Sequence, residues 1–193
     1  MVQKPRDARS GEDSQGERVD PHRHEPTASG HTMRLSTLVI GLGNPLITDD
    51  RVGLRVVKQL EPLLADRTDV VLTEDYWGGL RLMERMIDYD RAIVIDAICT
   101  GAEPGTLHLL STDSVPTQKS ASAHDVNLPT ALAFGRQAGA HLPADDHIQL
   151  VGIEAEDILT FSDECTPAVA AAIPQAVEMV LELLQKPPGD FAI

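Results

Sequence analysis

Three polar positions in the chain combine residue types that can do chemistry together. The acidic pair Asp49-Asp50 follows a glycine-containing run, Asp96 ends a run of aliphatic residues, and His124 stands in a polar loop. Each segment leaves a predicted strand toward the carboxyl edge of a sheet, where open α/β sheets bind ligands. Two carboxylates and one imidazole suit a divalent transition metal such as nickel, zinc or iron. The sequence therefore indicates a metal site, although only the predicted topology brings these residues together.

Each of these residues also has a structural explanation, and the sequence alone does not decide between that explanation and a role as a metal ligand. Asp49 stands where an N-cap would begin the first helix, and Asp50 would stabilise the helix dipole one residue later. Asp96 can cap a loop amide, because a carboxylate near a buried strand end needs a partner. His124 taken alone is typical of a surface or helix-capping position.

Apolar runs and helix-spaced apolar residues alternate along the chain from residue 34 onward, which predicts alternating strands and helices. The predicted strands cover residues 38–40, 70–72, 92–95, 106–110 and 148–153, and the predicted helices cover about 52–64, 78–87, 125–140 and 168–184. The fourth strand follows the third too closely for a crossover helix, which predicts an antiparallel or edge pairing. The expected fold class is α/β, a three-layer sandwich with a mostly parallel twisted sheet of about five strands and helices on both faces.

Residues 1–33 differ in composition from the rest of the chain. They combine prolines, serines, glycines and charged residues with almost no large apolar side chain. Such a segment cannot bury enough apolar surface to offset the entropy of ordering it. We therefore predict a disordered N-terminal tail at 1–33 and a single α/β domain at 34–193.

The net charge and the cysteine content indicate which partners and which cellular compartment to expect. The chain has 193 residues and a net charge of −14, of which residues 34–193 carry −13. This acidity argues against a nucleic-acid partner, since phosphate contacts need clustered Lys and Arg. No run approaches the roughly 20 apolar residues of a membrane span, and no secretion signal is recognisable. With only two cysteines, Cys99 and Cys165, we expect a cytoplasmic protein with no membrane partner.

The run Gly41-Leu42-Gly43 does not predict a dinucleotide site. The third glycine of the phosphate-binding fingerprint would fall at Leu46. The following acidic pair would also place negative charge where a pyrophosphate should meet the helix N-terminus.

Segment 38–53 reads LVIGLGNPLITDDRVG, and further along the chain stand Val94–Ile98, the loop histidine His124, Gly152–Glu154 and Thr166-Pro167. Together these residues resemble the nickel–iron hydrogenase maturation endopeptidases over nearly all of residues 35–185. The resemblance implies removal of a C-terminal peptide from the hydrogenase large-subunit precursor once nickel has been inserted.

The resemblance also implies which residues contact the metal and perform catalysis. The family's three metal-contacting side chains fall on Asp50, Asp96 and His124. The implied metal is nickel, held by these residues for metal-assisted hydrolysis or supplied by the substrate and sensed as a checkpoint. The sequence leaves this choice open, as well as the choice between an aspartyl-type and a metal-assisted endopeptidase.

Four residues are predicted to contact the substrate: Gly43, Asn44, Asp75 and Trp77. The amide of Asn44 can hold its loop or the substrate backbone. Asp75 and Trp77 lie in Glu74–Leu80, where many relatives have an Asp-Gly-Gly-Thr-like loop, so this region departs from the family pattern. Trp77 is either a core residue or an aromatic that lines the crevice.

Two other functions stay open. The run Gly41–Pro45 also resembles the start of the peptidyl-tRNA hydrolases, but the residues that follow differ and the acidic domain would repel tRNA. A non-catalytic nickel-sensing or docking module would keep the three ligands without cleaving a bond.

Several remaining residues have simple structural interpretations. Cys99 is interpreted as a small buried residue, with contact to the crevice as the alternative. Glu154 is interpreted as part of a solvated acidic loop, with a place along the same edge as the alternative. We expect His108 to be structural or exposed. Thr166 is the predicted N-cap of the last helix, whose field would lower the pKa of Cys165.

Overall fold

The computed structural model describes residues 36–112 and 127–187. In this part of the chain the strands are β1 (Thr37–Leu42), β2 (Val70–Asp75), β3 (Arg91–Ile98), β4 (Leu107–Ser111) and β5 (Ile148–Glu154). They form one sheet in the order β2-β1-β3-β5-β4. β1 pairs in parallel with β2 and β3, β3 pairs in parallel with β5, and edge strand β4 is antiparallel to β5. The mostly parallel sheet and the antiparallel edge pairing predicted from the short link are both confirmed.

In the described residues, four α-helices cover the two faces of this sheet. They are α1 (Val52–Leu60), α2 (Gly79–Arg85), α3 (Leu128–Gln137) and α4 (Pro167–Leu183). Side chains of β1 and β3 alternate between two buried clusters, because successive residues of a strand point to opposite faces. Val39, Ile93 and Ile95 pack with α1 and α4. Ile40 and Val94 pack with α2 and α3, so the predicted three-layer sandwich is confirmed.

The observed elements differ from the predicted ones mainly at their ends. β3 continues to Ile98, so Asp96 lies inside the strand and not directly after it. α3 begins at Leu128, and its N-cap is Asn127, whose Oδ1 accepts the Thr130 N–H at 3.0 Å. α4 remains one helix through Pro174.

The predicted tail at 1–33 and the predicted ligand His124 lie outside the described residues. Within the described ranges, no helix is long and apolar enough to cross a membrane.

Candidate active site

The start of α1 lies directly against the backbone of β1 and β3. A Cβ atom on Gly53 would stand 2.4 Å from the carbonyl oxygens of Leu42 and Ile95, so only glycine allows this approach. Asp50 precedes Gly53 by three residues, and Asp96 follows Ile95 directly. The close contact between helix and sheet therefore brings the two predicted acids to the same carboxyl edge.

Asp50 closes the loop between β1 and α1. Its Oδ2 accepts the Asn44 N–H at 2.7 Å, and the Asn44 Oδ1 accepts the Leu46 N–H at 3.0 Å. The Asn44 amide oxygen thus holds its own loop. Gly43 at the start of the loop has φ +139°, and a Cβ there would stand 1.7 Å from the Asp50 carbonyl oxygen. This backbone position admits only glycine.

Replacing Gly43 by alanine should therefore distort the Asp50 loop. Gly139→Ala is the matched control, since Gly139 also has positive φ (+87°) but a Cβ added there would have no neighbouring atom within 4 Å. We expect the control to lose about 1 kcal/mol from backbone strain alone. Gly43→Ala should lose at least about twice that amount, because a steric clash adds to the strain. Denaturant unfolding measures both, and equal losses would contradict the packing of Asp50 against Gly43.

Asp96 is half-buried on the face of the sheet covered by α2 and α3, since it follows Ala92 and Val94 in the strand alternation. Burial and the nearby charge of Asp50 raise the pKa of Asp96 to about 7, although the Ala97 N–H acts in the opposite direction. Two interacting carboxylates, one of which holds its proton near neutral pH, can exchange protons with a bound substrate. They can also hold a cation, whose charge would relieve their repulsion.

The raised pKa of Asp96 predicts how the stability of the metal-free protein depends on pH. The folded pKa, about 7, lies above the unfolded value, so the folded state holds this proton more tightly. The contribution of Asp96 to wild-type stability should therefore fall as the pH rises from about 4 to about 7. Asp96→Asn has no carboxyl group to lose this proton. We therefore expect its stability to match that of the wild type near pH 4 and to exceed it at pH 8 by about 1–3 kcal/mol, a range that allows for solvent screening of the charges.

Thermal melting of both metal-free proteins at the two pH values measures this difference. Asp66→Asn, an exposed acid in the turn after α1, is the control and should show no such pH-dependent gain. Parallel stability curves for the wild type and Asp96→Asn would contradict the burial and charge repulsion at Asp96.

Asp49 has a different role from its neighbour, and its predicted function as an N-cap is wrong. The N-cap position of α1 is Arg51, and no side chain caps the helix. The Asp49 carboxylate is fully buried and accepts the N–H groups of residues 156, 157 and 166 at 2.7–2.9 Å. It also accepts the Thr166 hydroxyl at 3.0 Å. Asp49 therefore joins the β1–α1 loop to the segment before α4.

Glu154 is a second buried acid, so its preferred interpretation as part of a solvated loop is wrong. It is 2% exposed at the end of β5. It accepts the N–H groups of Thr100 and Gly101 and the Thr100 hydroxyl, each at 2.8 Å. Burial raises the pKa of Glu154, but these bonds outweigh it and hold the pKa below its usual range. The available signal was an acid ending an apolar strand, the same pattern that pointed to Asp96.

His108 lies beside Glu154, with its Nε2 3.5 Å from the Glu154 Oε2. Its side chain is half-buried, which fits the expected structural role. In the described part of the chain, its buried Nε2 has no hydrogen-bond partner.

The two predicted substrate residues after β2 differ in exposure. Asp75 is buried, and its carboxylate accepts the Tyr76 N–H at 2.7 Å and the Arg85 Nε–H at 2.6 Å. Burial raises the pKa of Asp75, but these bonds and the charge of Arg81 bring it below its usual value. Trp77 is 60% exposed, so it is not a core residue. The Gly43 N–H donates to the Asp75 carbonyl at 3.2 Å, which places the two loops side by side.

The two cysteines also differ from expectation. Cys99 is exposed and not a buried residue. Partial burial and the charges of Glu154, Asp50, Asp49 and Asp96 raise the pKa of its thiol, which places Cys99 at the same acidic edge. Burial and Asp49 also raise the pKa of Cys165, whereas the field of the helix was expected to lower it.

A complete metal site cannot be assigned within the described residues. Residues 36–112 and 127–187 contain no group of three or more His, Cys, Asp or Glu side chains arranged to hold a metal ion. The third predicted ligand, His124, lies outside these ranges. Asp50 and Asp96 nevertheless fit a cation: they lie close enough for their charges to repel, and among the hydrogen bonds of the described residues each carboxylate has one backbone N–H donor, which leaves its other oxygen atom for a ligand.

An α/β sandwich with two interacting carboxylates at the carboxyl edge of its sheet has its candidate site where proteins of this fold class bind ligands. Residues 54–183 match the HycI family of hydrogenase maturation proteases. The chain belongs to this family.

Individual relatives agree with the family assignment. The chain is 32% identical over 154 residues to the hydrogenase 2 maturation protease of Escherichia coli, which covers 77% of this chain and 90% of that protein. It is 30% identical over 150 residues to the hydrogenase expression/formation protein HupD of Thiocapsa roseopersicina, covering 76% and 66%. The structure of the hydrogenase maturating endopeptidase HybD from E. coli superposes with a TM-score of 0.64 at 31% identity, covering 78% of this chain and 93% of that one. The peptidyl-tRNA hydrolase alternative is therefore not supported.

Proposed function

We propose that this protein removes a C-terminal peptide from the nickel-loaded large-subunit precursor of a nickel–iron hydrogenase. The family assignment supports a protease that acts in hydrogenase maturation. The observation that carries the proposal is the pairing of Asp50 with Asp96 at the carboxyl edge of the sheet, because these are the acids the family resemblance assigns to the site.

The four acids of this edge divide into two kinds. Asp49 and Glu154 are fully buried or nearly so, and their carboxylates accept several protein donors each. Asp50 accepts one backbone N–H, and Asp96 interacts with the Ala97 N–H. We assign structural roles to the first two, since their oxygen atoms are already occupied. Asp50 and Asp96 keep oxygen atoms for a ligand, so we assign the chemistry to them.

We propose that Asp50 and Asp96, with His124, hold a nickel ion. A bound divalent cation supplies Lewis-acid polarisation of the scissile carbonyl. Asp50 contributes an oxygen whose position is fixed by the Asn44 N–H. Asp96 contributes the second oxygen, or a proton when no cation is bound. In the alternative version the nickel belongs to the substrate, and the same residues recognise it before cleavage.

We propose that the substrate backbone lies along the loops that surround this pair. Gly43 and Asn44 form the loop on one side, and the exposed Trp77 stands after the neighbouring strand. Because the Asp75 carboxylate is engaged by Arg85, we expect Asp75 to act through the loop that it orders. The expected compartment remains the cytoplasm.

The experiment that tests the proposal combines the purified protein with candidate large-subunit precursors, with and without nickel. Intact mass shows whether a C-terminal peptide is released. Release only from the nickel-loaded precursor supports the proposal. Specific binding of that precursor without any release would instead identify a non-catalytic module.

A further inference from the structure

Three apolar side chains beside the candidate site are exposed to solvent. Leu46 is 62% exposed, Leu159 is 85% exposed and Phe161 is 77% exposed. We call these three residues the Phe161 surface. Single exposed apolar residues are ordinary, but large ones grouped on adjoining segments mark interaction sites.

The backbone beneath the Phe161 surface is held in place. Residues 46–48 and 160–162 form a short antiparallel bridge, in which Thr48 N–H donates to the Thr160 carbonyl at 3.0 Å and Ser162 N–H donates to the Leu46 carbonyl at 3.2 Å. The Asp157 Oδ1 accepts the N–H groups of Leu159 and Thr160 at 2.9 and 3.0 Å. The surface is therefore preorganised, which lowers the entropy cost of binding.

Two buried side chains fasten this bridge to the candidate site. Asp49 bonds to the backbone on both sides of it, at residues 156, 157 and 166. The Arg51 guanidinium, which is also buried, donates to the carbonyls of Ser162 and Asp163. Asp50 lies between these two residues in the chain. The Phe161 surface and the proposed catalytic loop thus form one continuous structure.

The charges of the residues around the Phe161 surface determine which kind of partner it can bind. Segment 155–166 contains four Asp and Glu residues and no Lys, Arg or His. Two arginines, Arg51 and Arg55, donate to the backbone carbonyl of Asp163, so the acids still outnumber the cations here. Glu156, Asp163 and Glu164 are exposed beside the apolar side chains. A second copy of this chain bound symmetrically here would place these acids opposite themselves, which is unfavourable. A partner whose apolar side chains are flanked by Lys or Arg complements both features.

We propose that the Phe161 surface docks such a segment of the polypeptide substrate and directs the substrate chain toward Asp50 and Asp96. This inference rests on the proposed function, since the occupant is the large-subunit precursor. The Phe161 surface lies outside the four predicted substrate residues, so it adds a specificity-determining contact to the site.

The test compares two double variants and one control in the full chain. Leu159→Ser/Phe161→Ser removes the apolar contact, and Glu156→Gln/Glu164→Gln removes charge. Leu63→Ser is the matched control, because Leu63 is 57% exposed in the turn after α1. All of the replaced residues are exposed to solvent, so melting temperatures should stay near that of the wild type.

For the apolar double variant we expect KM for the nickel-loaded precursor to rise at least about tenfold, with kcat within about threefold of the wild type. The charge variant should raise KM by about threefold at low salt and remove most of the salt dependence. Leu63→Ser should behave as the wild type. This pattern supports docking of a cationic, apolar segment.

Other results overturn the proposal in distinguishable ways. If the apolar variant cleaves the precursor as fast as the wild type and with the same KM, the docking surface is overturned and the proposed function stays intact. If sedimentation shows that the wild type is a dimer and that the apolar variant is a monomer, the Phe161 surface is instead a contact between copies of this chain. Failure of the wild type to bind or cleave any precursor would overturn the proposed function and this occupant together.

Discussion

Asp96→Asn is expected to stop release of the C-terminal peptide from the nickel-loaded precursor while the fold remains intact. The amide keeps the shape of the side chain but removes its charge and its exchangeable carboxyl proton. Loss of one preorganised electrostatic group in an active site typically costs about 10²–10³-fold in kcat. We expect at least this loss, and the same for Asp50→Asn, since the two carboxylates are coupled.

Single-turnover cleavage followed by intact mass measures this effect. Asp66→Asn removes an exposed acid in the turn between α1 and β2 and should cleave at the wild-type rate. A folded Asp96→Asn protein that cleaves normally would contradict both the catalytic version and the checkpoint version of the metal site.

Asp49→Asn is expected to destabilise the protein by about 3 kcal/mol, because hydrogen bonds to a charged group contribute about 1.5–3 kcal/mol and several are affected. The carboxylate is fully buried and faces three backbone N–H donors, so an amide NH₂ would meet donors wherever it replaced an oxygen. For a domain of this size the melting temperature should fall by about 6–12 °C.

Asp163→Asn is the control for this prediction, since Asp163 is exposed and binds Arg51 and Arg55 through its backbone carbonyl. It should melt near the wild-type temperature. Hydrogen exchange should accelerate at residues 156–166 in Asp49→Asn, where the lost bonds anchor the backbone. An unchanged melting temperature and unchanged exchange would show that Asp49 does not hold this segment.

The different roles of Asp49 and Asp50 show where inference from the sequence ends. Runs such as Ala92–Ile95 predict buried strands because a parallel sheet covered on both faces needs aliphatic residues on both sides. The carboxyl edge then follows from strand direction, which is why Asp50 and Asp96 could be placed together. The partners of Asp49 lie more than a hundred residues further along the chain. Local pattern carries no signal for such contacts, so the carboxylate was interpreted as a helix cap.

Glu154 is a different case, because an acid at the end of an apolar strand was an available local signal. Its position at the start of the acid-rich segment 154–157 suggested solvent, but donors from residues 100 and 101 allow the carboxylate to be buried. Conversely, the exposure of Trp77 could not be predicted from the residue type, since large aromatic side chains occur both in cores and in binding crevices.

The proposed function is tested most directly by the mass of a large-subunit precursor incubated with this protein, with nickel present or withheld during assembly of the precursor. The proposal predicts one new C-terminus in the nickel-loaded precursor and none in the nickel-free form. Cleavage that is equally efficient without nickel would contradict the role of the metal. A nickel-loaded precursor of unchanged mass, in the presence of folded wild-type protein that binds it, would contradict the proposed protease activity.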